Sequence, residues 1–310
     1  MRLISGKNLI NKKPIAATIG FFDGVHLGHR YLIEQVKTVA KLRNIPSAVV
    51  TFNEHPRKVV QPDYVPELLT STDERLKLLE ESGIDICIVL DFDASLAQLS
   101  ALEFLENVLK KQLSVEALVI GYDHRFGKNR TDNYDDYVRY GNSVGIKTTK
   151  AEALQIDGEN VSSSIIRKMV LSGQIEEANH LLSHPYTLLG TVVEGQKLGR
   201  TIGFPTANIQ PTDSNKIIPS NGVYVVAVTL DENRLYGMLN IGLRPTIAEN
   251  LQLTIEVNLF DFDDDIYHQS VEVEFLHKLR NERKMSGLNE LKAQLFSDKE
   301  QALHFITKKG

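Results

Sequence analysis

Apolar residues in the first half of the chain gather in four short, nearly continuous runs, Ile15–Phe21, Ala48–Phe52, Ile84–Leu90 and Ala117–Gly121. Runs of this length without polar alternation are the pattern of strands buried on both faces. Between them the period becomes helical. Leu32, Val36 and Val39 recur at i, i+4 and i+7, Leu76 and Leu79 repeat part of that spacing, and Leu102, Leu105 and Leu109 repeat it again. Strand alternating with helix predicts right-handed crossovers and a mostly parallel sheet covered on both faces. In such a sheet ligands bind beyond the C-terminal strand ends.

After His184-Pro185 the pattern changes. Val223–Leu230, Leu235–Ile241, Thr254–Phe260 and Val271–Leu279 are rich in β-branched residues and alternate in polarity. Ile255, Val257 and Leu259 fall on one face, Glu256 and Asn258 on the other. Turn formers such as Pro219–Gly222 and Asp261–Asp265 separate the runs, which predicts an antiparallel barrel. Helical segments over Leu288–Phe296 and Lys299–Thr307 are expected to close the chain. With no internal repeat and no low-complexity linker, the expectation is two abutting domains, 1–183 and 184–310.

A length of 310 residues suits two domains, and 42% hydrophobic with 24% charged residues is an ordinary globular composition. The net charge of −5 argues against nucleic acid or an anionic membrane as partner and leaves small anionic ligands open. No apolar stretch approaches the roughly 18 residues of a membrane span, and Met1–Lys13 lacks the apolar core of a signal peptide. A cytoplasmic protein is expected. The single Cys87 lies inside an apolar run, so a core residue is expected rather than a disulfide or a reactive thiol.

Directly after the first apolar run comes Gly20-Phe21-Phe22-Asp23-Gly24-Val25-His26-Leu27-Gly28-His29, leading into a helical pattern. Glycines let backbone approach a ligand, and amides at a helix start attract an anion. Two histidines three residues apart can face one phosphate and stabilise its charge in a transition state. Zinc would need a third ligand, for which His55 is the nearby candidate, and the H-E-x-x-H spacing is absent. Two ordinary turn histidines remain the bland alternative at this point. The spacing is not G-x-G-x-x-G, and Gly121–Asn129 misses a Walker A motif by one extra residue and by Asn129 after Lys128.

His26-Leu27-Gly28-His29 together with the distant Ser162-Ser163-Ser164-Ile165-Ile166-Arg167 resembles the paired HxGH and ISSTxxR motifs of the nucleotidylyltransferase superfamily. The intervening Thr51-Phe52…His55-Pro56, Leu69-Thr70…Glu74-Arg75 and Gly121-Tyr122-Asp123…Phe126-Gly127 narrow the resemblance to bacterial bifunctional riboflavin kinase/FMN adenylyltransferases, over essentially the whole chain. That resemblance implies a Rossmann-like nucleotidylyltransferase domain followed by an antiparallel β-barrel riboflavin kinase domain with terminal helices. It also implies ligand contacts from Gly20, Phe21, Asp23 and Gly24, from Phe52 and His55 near the flavin, and from Asp123 to the nucleotide. His26 and His29 would serve the α-phosphate of ATP, while Ser163, Ser164 and Arg167 would hold the β and γ phosphates. Ser162–Ser164 alone read equally well as a helix N-cap.

In the second half, Gly199-Arg200-Thr201-Ile202-Gly203-Phe204-Pro205-Thr206-Ala207-Asn208 resembles the GRxxGFPTAN signature of riboflavin kinases, accompanied by Asn240-Ile241-Gly242…Pro245-Thr246 and Ile255-Glu256-Val257. The resemblance implies that Gly199 and Arg200 belong to the ligand site, that Thr206 and Asn208 hold Mg²⁺ with the ATP phosphates, and that Glu256 takes the proton of the riboflavin 5′-hydroxyl. Arg280 would lie near the flavin. Read as residues alone, Glu256 looks like the solvent side of an amphipathic strand, and Thr206 and Asn208 suit a turn after Pro205. The chain departs from the family pattern at Glu54, His124, Ser164, Asn258, His268 and Met285. Expected ligands are thus riboflavin, FMN, FAD, ATP and Mg²⁺. The competing readings are a member with one site decayed and a non-catalytic flavin- or nucleotide-binding regulator; His26, His29, Arg167 and Glu256 occurring together speak against the latter.

Overall fold

The computed structural model describes the chain apart from residues 7–8, 123, 129–130, 157, 196–198, 200–201, 246–250 and 310. Asp123 and Arg200 of the expected ligand contacts, and Thr246 of the expected motif, therefore lie outside the described residues. The chain forms two compact units, Met1–Ser163 and Ser164–Gly310.

The first unit is built on a six-stranded sheet. Strands β1 (Arg2–Ser5), β2 (Ile15–Ile19), β3 (Ser47–Phe52), β4 (Ile86–Leu90), β5 (Val115–Ile120) and β6 (Lys147–Lys150) pair in the order β1-β4-β3-β2-β5-β6, parallel throughout. The four central strands are those the apolar runs predict. The two edge strands are polar and largely exposed, so no apolar run marks them. Successive residues of β3 enter different cores, Ala48, Val50 and Phe52 one cluster and Val49 the other, which is why its sequence does not alternate. Cys87 is buried in β4, where burial pushes its thiol up to about 11.

Helix α1 (Leu27–Arg43) buries Ile33, Val36 and Ala40 and ends at Asn44 in the left-handed conformation. It is followed by α2 (Pro56–Val60) and by α3 (Thr72–Glu81), which opens on a Ser71/Glu74 capping box. After α4 (Ala94–Ala97), α5 (Ala101–Glu103) continues as π-helical turns over Phe104–Gln112, and α6 (Tyr134–Val144) precedes β6. A two-residue pairing, β7 (Gln155–Ile156) with β8 (Glu159–Asn160), leads towards α7 (Ser163–Ser172). Connections leave β2 towards β3 and β4 on one side, while β5 and β6 lie on the other. The order thus reverses between β2 and β5, and the crevice beyond their C-terminal ends is where such a sheet receives a ligand.

The second unit closes β9 (Tyr186–Val193), β10 (Ala207–Pro211), β11 (Gly222–Leu230), β12 (Asn233–Pro245), β13 (Leu251–Leu259) and β14 (Ser270–Arg280) into a barrel in the order β10-β13-β12-β11-β14-β9, antiparallel throughout. The four alternating runs correspond to β11, β12, β13 and β14, and β9 and β10 complete the closure. The closing helix departs from expectation. Instead of two segments, α9 runs unbroken over Leu288–Lys309; Asp298, in the gap between the two expected segments, is buried within the helix and paired with Arg280.

Helix α8 (Ile175–Leu182) is fastened to the barrel. Asn179 Nδ2 donates to the Phe275 carbonyl at 2.8 Å and its Oδ1 accepts from Tyr186 N–H at 2.7 Å, while Glu176 pairs with His277. No described helix is long and apolar enough to cross a membrane. A fragment cut at His184 loses these contacts, so it is expected to be less stable than a 164–310 fragment by about 2–4 kcal/mol, read from denaturant midpoints. Equal midpoints would remove α8 from the stability of the barrel.

Candidate active sites

The loop between β2 and α1 turns sharply, with Phe22, Gly24 and Val25 at φ of 58°, 81° and 39°. A β-branched residue at positive φ persists only where its surroundings hold it. Asp23 supplies that hold. Its buried carboxylate accepts from Leu69 N–H at 2.9 Å, Thr70 N–H at 3.0 Å and Thr70 Oγ1 at 3.2 Å, and Gly24 N–H donates back to Thr70 Oγ1 at 3.0 Å. Asp23, expected as a ligand contact, thus faces the Leu69-Thr70 segment and shapes the loop that carries Gly20, Phe21 and Gly24.

His26 caps α1, its Nδ1 accepting from His29 N–H at 3.3 Å. That acceptor role assigns the proton of the neutral ring to Nε2. The His29 ring stacks on His26 with centroids 3.7 Å apart and leans on Phe22 at 5.1 Å. Burial, then the nearby imidazoles of His26 and His124, hold His29 well below the ordinary histidine value, so the ring is neutral near pH 7. Its buried Nδ1 has no hydrogen-bond partner among the described residues. An orphaned buried nitrogen at a helix start is a place for a ligand atom. A Cβ on Gly28 would sit 3.2 Å from both the His26 ring and the Val161 carbonyl, so glycine lets α1 pass beneath the second motif. Ser163 Oγ donates to the Asp23 carbonyl at 2.9 Å, which joins the two motifs within the first unit. Ser164 and Arg167 follow on α7, in the chain range of the second unit.

Phe52 ends β3, and Phe21 lies two residues beyond the end of β2. Arg75, only 1% exposed, donates from Nη2 to the Phe52 carbonyl at 2.7 Å and lies 4.1 Å over the Phe21 ring. Burial lowers this guanidinium to about 10, against the attraction of Asp23. Phe21 meets His55 edge-on at 4.8 Å, and His55 caps α2. The sequence offered Arg75 only as part of a motif; its burial between two expected flavin contacts was not legible there.

In the second unit, register brings the expected residues together. Asn208 pairs with Glu256, Glu256 with Asn240, Asn240 with Val223 and Val223 with Arg280. Directly opposed residues share a face of a sheet, so one row across five strands carries all of these side chains. They line a cavity of about 330 Å³ together with Gly199 and Thr206. The expected solvent side of β13 is therefore the wall of a pocket. Asn258, on the same strand face as Glu256, is buried and donates to the Pro205 carbonyl at 2.7 Å, which holds the Gly199–Asn208 segment against β13. Phe204 N–H donates to the Gly199 carbonyl at 2.9 Å, and a Cβ on Gly199 would run into the Phe204 carbonyl, so this turn requires glycine. Among the described residues no group of three or more His, Cys, Asp or Glu forms a metal cage.

A family model described as FAD synthetase matches residues 9–165, and one described as riboflavin kinase matches residues 182–306. The bifunctional riboflavin kinase/FMN adenylyltransferase of Haemophilus influenzae is 39% identical over 309 residues, covering 99% of each chain. That of Escherichia coli K12 is 37% identical over 310 residues, covering 99% of this chain and 98% of its own. That of Bacillus subtilis is 36% identical over 303 residues, with 93% and 92% covered. A crystal structure described as a macrolide-efflux protein from Streptococcus pneumoniae has a TM-score of 0.87 at 31% identity, covering 96% of this chain and 97% of that one. With both halves matched and relatives similar from end to end, the chain belongs to the bifunctional riboflavin kinase/FMN adenylyltransferase family.

Proposed function

We propose that this chain makes FAD in two ATP-dependent steps, phosphorylating riboflavin in the barrel and adenylylating the resulting FMN in the parallel-sheet unit. The observation that carries the proposal is the row Asn208, Glu256, Asn240 and Arg280 around one cavity, matched in the other unit by the stacked histidines at the switch point of the sheet.

In the barrel, Glu256 accepts the proton of the riboflavin 5′-hydroxyl as that oxygen attacks the γ-phosphorus of ATP and ADP leaves. Thr206 and Asn208 offer neutral oxygens beside the Glu256 carboxylate, a hard donor set that suits Mg²⁺ only when phosphate oxygens complete its shell. They would hold the ion there, and the bound ion would offset phosphate charge. Gly199 and Arg200 belong to the same segment. Arg280 contacts the flavin.

In the parallel-sheet unit an oxygen of the FMN phosphate attacks the α-phosphorus of ATP and pyrophosphate leaves. No protein nucleophile is needed, so positioning and charge stabilisation carry the step. Nε2–H of His26 and the ring of His29 serve the α-phosphate. Ser163, Ser164 and Arg167 hold the outer phosphates, Phe21, Phe52 and His55 approach the flavin, and Asp123 contacts the nucleotide. The net charge of −5 supports small molecules over nucleic acid or an anionic membrane as partners, and the cytoplasmic expectation goes with them.

His29→Ala should lower FAD formation from FMN by about 10²-fold or more while riboflavin phosphorylation continues. FAD formation at the wild-type rate would end the assignment of the histidine pair. Glu256→Gln keeps the shape and cannot take the proton, so riboflavin phosphorylation should fall by about 10²–10⁴-fold while added FMN still becomes FAD. Unchanged phosphorylation would take Glu256 out of the mechanism.

A pH effect follows from the depressed pKa of His29. The unfolded chain binds the proton first, so stability is present above the unfolded value of about 6.5 and is lost as pH falls below it, by at most about 1.4 kcal/mol per pH unit for one proton. Melting curves between pH 7.5 and 5 should show this loss in the first unit and a flatter profile in His29→Asn. Identical profiles would mean that His29 does not titrate differently in the folded state.

A further inference from the structure

Helix α9 presents two adjoining stripes to the barrel. Leu288, Leu291 and Leu295 line the cavity, while Glu290, Gln294 and Asp298 recur at every fourth residue beside them. The polar stripe is a connected chain of ion pairs and hydrogen bonds. Arg283 lies 3.6 Å from Glu290 and donates from Nη2 to Gln294 Oε1 at 2.6 Å, and Gln294 Nε2 donates to Asp298 Oδ1 at 2.7 Å. Asp298, with 0% exposure, then receives Arg280 through Nε at 3.0 and 3.1 Å and through Nη2 at 2.8 Å.

An ion pair this deep contributes little stability over a well-packed apolar pair, because desolvation of both charges offsets their attraction. What it does supply is geometry. An arginine has five N–H donors in one plane. Here Nε and one N–H of Nη2 go to Asp298, and one N–H of Nη1 goes to the Asn281 carbonyl at 3.2 Å. The plane is fixed, and one N–H remains on each terminal nitrogen. Arg280 lines the same cavity as Glu256, three strand steps away along the row.

We propose that Asp298 is a positioning residue for riboflavin, orienting Arg280 so that its two remaining N–H groups meet the carbonyl-bearing pyrimidine edge of the flavin ring. This rests on the kinase reading of the barrel. Asp298 touches no reacting atom and acts through Arg280. Gln294 keeps the carboxylate in place, and the same contacts hold α9 as one wall of the pocket.

The test uses the full-length protein and measures riboflavin KM and kcat together with thermal melting, with conversion of added FMN to FAD as an internal standard. A wild-type protein that does not phosphorylate riboflavin sinks the kinase reading itself; the variants address only Asp298. In Asp298→Asn the riboflavin KM is expected to rise about tenfold or more, with kcat within about threefold of wild type and FAD formation from FMN unchanged. In the double variant R280M/D298L, which replaces the pair by apolar groups of similar size, melting is expected to stay near wild type while the riboflavin KM stays raised. A double variant that regains the wild-type KM would show a purely structural pair and overturn the proposal. So would an Asp298→Asn variant with unchanged KM, or one whose loss is confined to kcat or melting. If the double variant does not fold, the KM of Asp298→Asn decides.

Discussion

Register is the constraint on which the barrel depends. A strand that slips by one residue turns every side chain to its opposite face. On β13 such a slip would turn Glu256 and Asn258 into the apolar core and present Ile255 and Val257 to the cavity, so the apolar core and the polar pocket specify the same pairing. Closure of the barrel removes free edges and fixes β10 between β9 and β13, which brings Asn208 opposite Glu256. From that alignment follow the placement of two expected metal ligands beside a carboxylate and, further along the row, an arginine held by the last helix.

The parallel-sheet unit meets a different constraint. Its loop must reverse direction within a few residues between β2 and α1 while keeping amides and imidazoles at the helix start. Phe22 and Val25 take unfavourable backbone conformations to do so, and the buried carboxylate of Asp23 holds them by satisfying amides of Leu69 and Thr70. Order in this loop in turn lets His26 cap α1 and His29 stack upon it. The neutral state of His29 fits a site that gains charge only when a polyphosphate arrives.

Much of this was legible in the sequence, and the failures have physical causes. Apolar runs marked the four central strands because both of their faces are buried, and polarity hid the edge strands β1 and β6. Alternation on β13 was read correctly, but a period of two cannot tell solvent from a pocket, so Glu256 read on residues alone looked exposed. The two expected helical segments left Asp298 between them, and the sequence pattern does not show that it is buried within one continuous helix. Its partner Arg280 lies 18 residues earlier, on another element, and no local pattern announces such a pair. Arg75 was hidden in the same way: its acceptor is a strand carbonyl and its second contact a ring, neither of which leaves a spacing in the sequence.

The proposed function requires two separate sites in one chain to act in succession on one flavin. The most direct measurement is a time course of the full-length protein with riboflavin, ATP and Mg²⁺, with the flavins separated chromatographically. FMN should appear first and then decline as FAD accumulates, and FAD should form from added FMN without riboflavin. A reaction that stops at FMN, or that leaves riboflavin unchanged while FMN is converted, would contradict the claim that both sites are active.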